Sequence, residues 1–132
     1  SDYRKTCCNM PCCVILYHQT PDDAAVDSHL DFMLEANDEL LTWRWSEIPQ
    51  DNQVFVASRL ANHRVEYLTL EGQLSGNRGT VTRIDQGTFE PPIENAQQQF
   101  SILIQTTKLQ GEIVAHAFSD EQWEFRFFPN NP

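Results

Sequence analysis

Residues 28–35, SHLDFMLE, decide the fold because apolar and polar side chains alternate along them. Such alternation predicts a β-strand with one apolar face packed on a core and one polar, wet face. The apolar face carries Leu30, Phe32 and Leu34. The polar face carries His29, Asp31, Met33 and Glu35. The strand therefore places an imidazole and a carboxylate side by side.

His29 and Asp31 form half of a candidate site for a divalent metal. Neutral imidazole and carboxylate suit zinc, manganese or iron. A third ligand from a nearby strand, with water completing the shell, would leave an open coordination position for chemistry. The alternative is a solvated pair on an exposed strand face, which is the commoner arrangement of such residues. The strand alone leaves both interpretations open.

Short β-prone runs separated by turn residues follow one another along the rest of the chain. The predicted strands are 12–18, 29–36, 40–45, 53–60, 65–71, 78–85, 100–105, 113–118 and 122–127. No helical period lasts longer than a turn or two. We therefore predict an all-β protein, a small antiparallel β-barrel of about eight strands with little helix.

Length and composition bound the domain organisation. A chain of 132 residues with 40% hydrophobic content suits one domain with one contiguous core. We predict a flexible N-terminal arm at residues 1–9 and a single barrel domain at residues 10–132. No apolar run approaches the roughly 20 residues of a membrane-spanning helix, so we expect a soluble protein with no membrane partner.

The formal net charge of −10, with 19 acidic and 9 basic residues, limits the class of ligand. A strongly negative field repels polyanions, which argues against a long groove that tracks nucleic-acid phosphates. Recognition of one or two phosphates remains possible, because a local arginine cluster or a bound cation reverses the potential within a few ångströms.

All four cysteines are crowded near the start of the chain: Cys7, Cys8, Cys12 and Cys13. This crowding argues against a disulfide framework, which would join distant parts of the chain. It also argues against a zinc site, because adjacent cysteines point different ways and no second cluster follows. We expect a reducing compartment and a cytoplasmic location, with Cys12 and Cys13 in the first strand.

Five blocks of the sequence resemble the 3′-phosphoesterase domain of bacterial ligase D, the end-joining ligases, a domain also found as a stand-alone protein. The blocks are VILYH ending at His18, HLDFMLE from His29, LLTWRW around Trp43, NHRVEYLTLEG at 62–72 and RGTVTRIDQGTFEP at 78–91. Each block is weak alone, but their order and spacing make the resemblance specific. It covers most of residues 11–111.

The resemblance implies an eight-stranded barrel with a surface groove that holds a divalent cation. Manganese is the expected ion, with zinc or cobalt as alternatives, and the implied ligands are His18, His29 and Asp31. The implied activity removes a 3′-terminal phosphate or ribonucleoside from nucleic acid. His63 and Tyr67 would contact the scissile phosphate, where His63 would stabilise charge or donate a proton to the leaving oxygen.

The sequence departs from the family pattern at Met33, where the family usually has an arginine. A guanidinium holds two phosphate oxygens, which a thioether cannot do. The candidates to replace it are Arg44, Arg59, Arg64 and Arg78. Of these, we expect Arg44, Arg59 and Arg78 to bind phosphate.

Two classes of function are therefore compared. The first is a divergent metal-dependent 3′-phosphoesterase in DNA end processing, acting on a nucleic-acid 3′ end or a small phosphoester, with end-joining ligase or polymerase partners. The second is a non-catalytic module that keeps the barrel and binds metal or a nucleic-acid end. A purely structural barrel is a third possibility.

Overall fold

The computed structural model describes residues 9–95 and 98–130. Within these residues the fold is built from β-strands and one short 3₁₀ helix, Val65–Leu68. The strands are β1 Cys12–Gln19, β2 His29–Ala36, β3 Glu39–Trp45, β4 Val54–Arg64, β5 Gly72–Gln73, β6 Thr80–Glu90, β7 Gln99–Thr106, β8 Gln110–Ala117 and β9 Gln122–Pro129. The all-β prediction is confirmed.

Eight of the strands close into a ring. The sheet order is β1-β2-β3-β4-β9-β8-β7-β6, and β6 pairs back onto β1, with every pairing antiparallel. The short β5 lies on the edge of β6, outside the ring. Closure of the ring agrees with the predicted barrel-like arrangement and satisfies the backbone groups that open sheet edges leave unpaired.

The interior of the ring is filled by apolar side chains that point inward from alternate positions of the strands. Its largest fully buried members include Ile15, Phe32, Leu34, Trp43, Trp45, Phe89, Ile102, Trp123 and Phe125. Phe32 stacks on Trp45 with ring centroids 4.1 Å apart and meets Phe125 edge-on at 6.0 Å. The apolar face predicted for residues 28–35 therefore lies in this core.

The opposite face of β2 is also buried, which corrects the prediction that it is wet. A second apolar layer covers the outside of β1, β2 and β3. Its members are Cys12, Val14, Leu16, Met33, Leu40, Val65, Tyr67, Leu68, Leu74 and Val81, with Leu70 at its margin. We call this set the outer layer. Because it lies on the same side as His29 and Asp31, it shields both from solvent.

The strand predicted at residues 65–71 is wrong. The chain forms a 3₁₀ helix there, and the Glu66 carbonyl accepts hydrogen bonds from the N–H groups of Thr69 and Leu70. Side chains three apart share a side of a 3₁₀ helix, so Val65 and Leu68 are both directed into the outer layer. Burial of this segment against β1–β3 overrides its strand-like alternation.

The cysteine expectations are partly corrected. Cys12 is disulfide-bonded, although the crowding of the cysteines argued against a disulfide framework that joins distant parts of the chain. Cys13 is free and buried in the ring interior, and burial raises the pKa of its thiol. Most of the predicted arm, residues 1–8, also lies outside the described residues.

No helix within residues 9–95 and 98–130 is both long and apolar enough to cross a membrane.

Replacing Phe32 by alanine tests the role of the interior stack. Phe32 is fully buried, and removing its ring leaves a cavity, so we expect Phe32→Ala to lower the free energy of unfolding by about 3 to 5 kcal/mol. Val56→Ala, at a side chain 55% exposed on the outside of β4, should change it by less than about 0.5 kcal/mol. Urea unfolding followed by tryptophan fluorescence measures both. Equal losses would contradict this account of the core.

Candidate metal centre

Strand pairing brings three predicted ligands to one place. His29 and Asp31 are two residues apart on β2 and therefore share its outer face. His18, near the end of β1, is the direct partner of His29 in the antiparallel register. The β1–β2 loop at residues 20–28 is closed at its base, where the Thr20 N–H donates to Ser28 Oγ at 3.0 Å.

The side chains of the triad His18, His29 and Asp31 converge on one point. His29 Nε2 lies 3.0 Å from Asp31 Oδ1, and His18 Nδ1 lies 3.8 Å from Asp31 Oδ2. One ligand atom from each residue falls within 4.8 Å of the others. The two imidazole rings are 5.1 Å apart and meet at 67°. This compact set of two nitrogens and a carboxylate has the composition of a divalent-metal site.

Backbone carbonyls determine which ring nitrogen of His18 and of His29 carries a proton. His29 Nδ1 lies 2.8 Å from the Asp27 carbonyl, and His18 Nε2 lies 2.8 Å from the Arg78 carbonyl. A carbonyl oxygen only accepts hydrogen bonds, so each of these nitrogens carries a proton and donates it. In a neutral imidazole the other nitrogen then presents a lone pair toward Asp31. Outer hydrogen bonds of this kind orient metal-ligating histidines.

The Asp31 carboxylate requires a positive charge beside it. Asp31 is only 3% exposed, and when His29 Nε2 carries a lone pair, no hydrogen bond from the described part of the chain reaches Asp31 Oδ1. A buried carboxylate that lacks partners is costly. A divalent cation between the lone pairs and the carboxylate removes this cost, so the residues present fit such an ion. A proton on His29 Nε2 is the alternative way to meet the same requirement.

The pKa of His29 depends on a balance between its burial and the hydrogen-bond acceptors around its ring. Burial lowers it, but the Asp31 carboxylate and the Asp27 carbonyl outweigh burial, and the net result is a raised pKa. The nearby positive charge of Arg44 acts in the lowering direction. His29 therefore holds a proton between itself and Asp31 more firmly than an ordinary histidine does, and a metal ion has to displace that proton.

The turn before β6 supports His18 through close backbone contact. Gly79, at φ +94°, lies against the end of β1, and a Cβ built on it would be 1.9 Å from the Gln19 carbonyl oxygen. Only glycine allows this approach. It places the Arg78 carbonyl beside His18, while the Arg78 guanidinium donates to the carbonyl and hydroxyl of Ser75. Arg78 thus reaches the triad through its backbone.

Arg44 lies next to the triad. It is the direct cross-strand partner of Asp31, and it shares the outer face because its neighbours Trp43 and Trp45 point into the ring. Its Nε is shielded from solvent and has no hydrogen-bond partner within the described residues. A partly buried guanidinium in this state is ready to bind an anion.

Arg59 is placed elsewhere. It pairs in register with Trp43, and its guanidinium lies 4.6 Å from the centre of the Trp43 ring, on the inner side of the sheet. It donates to the Leu60 carbonyl and to Asn62 Oδ1, and burial lowers its pKa. The structure therefore places the Arg59 guanidinium against Trp43, on the opposite face of the sheet from the triad, and the expected phosphate-binding role of Arg59 stays a prediction.

His63 and Tyr67 form a separate pair. Their rings meet edge-on at 5.1 Å, and His63 Nδ1 donates to the Ala61 carbonyl at 2.9 Å. Neither belongs to the ligand cluster found among the described residues. Tyr67 is buried in the outer layer together with Met33, which follows Asp31 on the same face of β2.

Sequence reasoning missed the atoms that hold the two histidines. The Asp27 carbonyl leaves no signal in the sequence, since every residue has a carbonyl. The sequence shows Arg78 between Gly76 and Gly79, but it does not show that the group approaching Gly79 is the end of β1.

Comparison with known proteins gives a family match. The family model of the DNA ligase D 3′-phosphoesterase domain matches residues 20–125, which is most of the chain. The match includes His29, Asp31, His63 and Tyr67, and it begins two residues after His18. No curated protein matches the chain.

The raised pKa of His29 predicts opposite pH dependences for two quantities, the stability of the metal-free protein and the affinity of the protein for Mn²⁺. Without metal, stabilisation from His29 is fully present below its ordinary pKa of about 6.5 and is lost as the pH rises through its raised value. Mn²⁺ competes with this proton, so its affinity should fall as the pH drops, beginning above about pH 6.5. Unfolding midpoints of wild type and His29→Gln, with and without Mn²⁺, measure both trends. A pH-independent Mn²⁺ affinity would contradict the competition.

Gly79→Ala tests the backbone support of His18. The added Cβ displaces the end of β1, so we expect Mn²⁺ affinity to fall by at least about tenfold, as when other outer-shell partners of metal ligands are lost. Gly76→Ala is the matched control, because it also has positive φ but nothing within 4 Å of its Cβ. Calorimetric titration with Mn²⁺ should show an affinity within about twofold of wild type for the control. Equal losses in both variants would mean that strain in the turn, and not contact with β1, is responsible.

Proposed function

Because this chain belongs to the DNA ligase D 3′-phosphoesterase domain family, we propose that it is a metal-dependent phosphoesterase acting on nucleic-acid ends. Its substrate is a terminal 3′-phosphate or 3′-ribonucleoside, and its role is the processing of ends before repair. The observation that carries this proposal is the convergence of two backbone-anchored imidazoles on a buried carboxylate. His29 and Asp31 are buried and His18 is partly exposed, so a substrate phosphate would approach the cation from the side of His18.

The triad residues hold the cation, which takes the place of the proton that His29 and Asp31 otherwise share. His18 and His29 offer neutral nitrogens because their other nitrogens donate to carbonyls, and Asp31 offers the negative charge. A bound divalent ion supplies Lewis-acid stabilisation for the negative charge that builds up on a phosphate during hydrolysis. We propose manganese as this ion, with zinc or cobalt as alternatives, since nitrogen and oxygen donors suit all three.

His63 and Tyr67 are proposed to act on the phosphate from the neighbouring part of the same face. The His63 Nδ1 proton is engaged by the Ala61 carbonyl, which leaves Nε2 as the atom that would stabilise charge or give a proton to the leaving oxygen. The edge-on contact with Tyr67 holds the imidazole ring in one orientation.

The negative net charge favours a short end over a long duplex as the element recognised. With a formal charge of −10, the protein repels an extended polyanion, whereas the local cation reverses the potential at the triad alone. End-joining ligases or polymerases are proposed as partners that would supply contacts along the duplex. We propose a cytoplasmic setting for this work.

One observation favours a second function, a non-catalytic module that binds a nucleic-acid end through the same cation. Met33 is fully buried in the outer layer, at the position where the sequence resemblance predicted an arginine. Its side chain contributes no charge to a phosphate. If no other residue replaces that charge, binding would persist without turnover.

A primer-template with a 3′-phosphate distinguishes the two functions. We expect wild type to release phosphate in the presence of Mn²⁺, chelation to stop the reaction, and His29→Ala to lower the rate by more than about 100-fold, because a ligand to the cation is lost. His116→Ala is the control, since His116 is exposed on β8 and faces Glu124. Phosphate release and Mn²⁺ binding are measured on the same preparations.

Three results of this experiment would count against one or both of the proposed functions. Equal release by wild type and His29→Ala would overturn the proposed enzyme. Mn²⁺ binding by wild type without phosphate release would favour the binding module. Absence of Mn²⁺, Zn²⁺ and Co²⁺ binding by wild type would overturn both.

A further inference from the structure

We infer that Arg44 binds the phosphate of the substrate beside the metal triad and selects for a terminal phosphate monoester. This inference deepens the proposed function and rests on it. It concerns a residue of β3, whereas the metal ligands belong to β1 and β2.

The first support is register. Arg44 is directly opposite Asp31 in the β2–β3 pairing, on the same face. The Cβ atoms of two side chains paired in this way are about 5 Å apart, which is well within the reach of an arginine. The charge of Arg44 already acts on His29. A phosphate placed at the triad therefore lies within range of the guanidinium.

The second support is that Arg44 has no competing partner among the residues that the structure describes. Each other arginine in the described part of the chain is already engaged: Arg59 over Trp43, Arg64 with Glu66, Arg78 with Ser75, Arg83 with the Leu68 carbonyl and Glu71, and Arg126 over Phe128. Arg44 makes neither a hydrogen bond nor an ion pair within residues 9–95 and 98–130, and its Nε is shielded from water. Binding an anion would satisfy this donor.

The third support is charge balance. Asp31 contributes one negative charge to the triad, so a divalent cation leaves a net single positive charge there. A phosphate monoester carries up to two negative charges at neutral pH. Arg44 supplies the remaining positive charge, and Met33 on the other side of Asp31 supplies none. The same positive charge repels the metal ion, so removing it should not weaken metal binding.

The specificity follows from the number of free oxygens. A guanidinium binds phosphate best through two parallel hydrogen bonds, which use two oxygens. A monoester has three oxygens that carry no ester bond, enough for the fork and for the cation. A diester has only two. Arg44 therefore favours a 3′-phosphate end over a 3′-ribonucleoside end.

Arg44→Gln tests the inference with four readouts: turnover of a 3′-phosphate end, turnover of a 3′-ribonucleoside end, inhibition by inorganic phosphate, and Mn²⁺ affinity. We expect kcat/KM on the phosphate end to fall by about 100-fold, as when one donor to a reacting oxyanion is removed. The loss on the ribonucleoside end should be below about tenfold, and inorganic phosphate should inhibit at least about tenfold less well. Mn²⁺ affinity should stay equal or increase.

Two further variants sharpen the test. Arg44→Lys keeps the charge but loses the fork, so its phosphate-end activity should lie between those of wild type and Arg44→Gln. Arg126→Gln removes a guanidinium from the outside of β9 and should behave as wild type.

The inference is overturned if Arg44→Gln keeps wild-type phosphate inhibition and turnover, or if it loses Mn²⁺ affinity in parallel with activity, which would indicate a structural role. Calorimetric titration of the Mn²⁺-loaded protein with inorganic phosphate separates this outcome from failure of the proposed function. Wild type that binds phosphate in an Arg44-dependent way but hydrolyses neither end would retain the inference and overturn the enzyme.

Discussion

The burial of the Asp31 carboxylate is the constraint on which the candidate site depends. A carboxylate removed from water needs positive charge or hydrogen-bond donors in place of its hydration shell. Here the imidazoles of His18 and His29 face its two oxygens, and each ring is held from behind by a backbone carbonyl. The need for a cation or a proton is thus a property of the folded chain. It follows from strand register and not from any flexible surface group.

The parts of this structure that local periodicity controls could be predicted from the sequence. Alternation along residues 28–35 gave the inner face of β2, and the two-residue spacing of His29 and Asp31 placed them together. The outer layer could not be predicted, because it depends on contact with a segment some thirty residues further along the chain. The side of the sheet that each arginine occupies was also hidden: Arg44 and Arg59 look alike in sequence, and only the pairing of β3 with its neighbours separates them.

Apolar side chains cover β2 on both of its faces. The ring interior packs on Phe32, and the outer layer packs on Met33. The backbone of β2, which carries Asp31, therefore lies between two apolar layers that restrict its movement. Metal and anion sites need their ligands held within a fraction of an ångström. Met33 therefore stabilises the strand that carries Asp31, and the positive charge of Arg44 lies on the next strand, directly opposite Asp31.

The loop between β1 and β2 joins two of the three triad residues without contributing a side chain to the triad. Its ends are tied together by Thr20 and Ser28, and only the carbonyl of Asp27 near its last position contacts a ring. The stretch at residues 21–26 therefore does not set the positions of the nitrogen and oxygen atoms of the triad. Insertions or deletions there would leave the ligand atoms of the triad in place. The loop can therefore change in length, and in what it contacts, without a change in the triad.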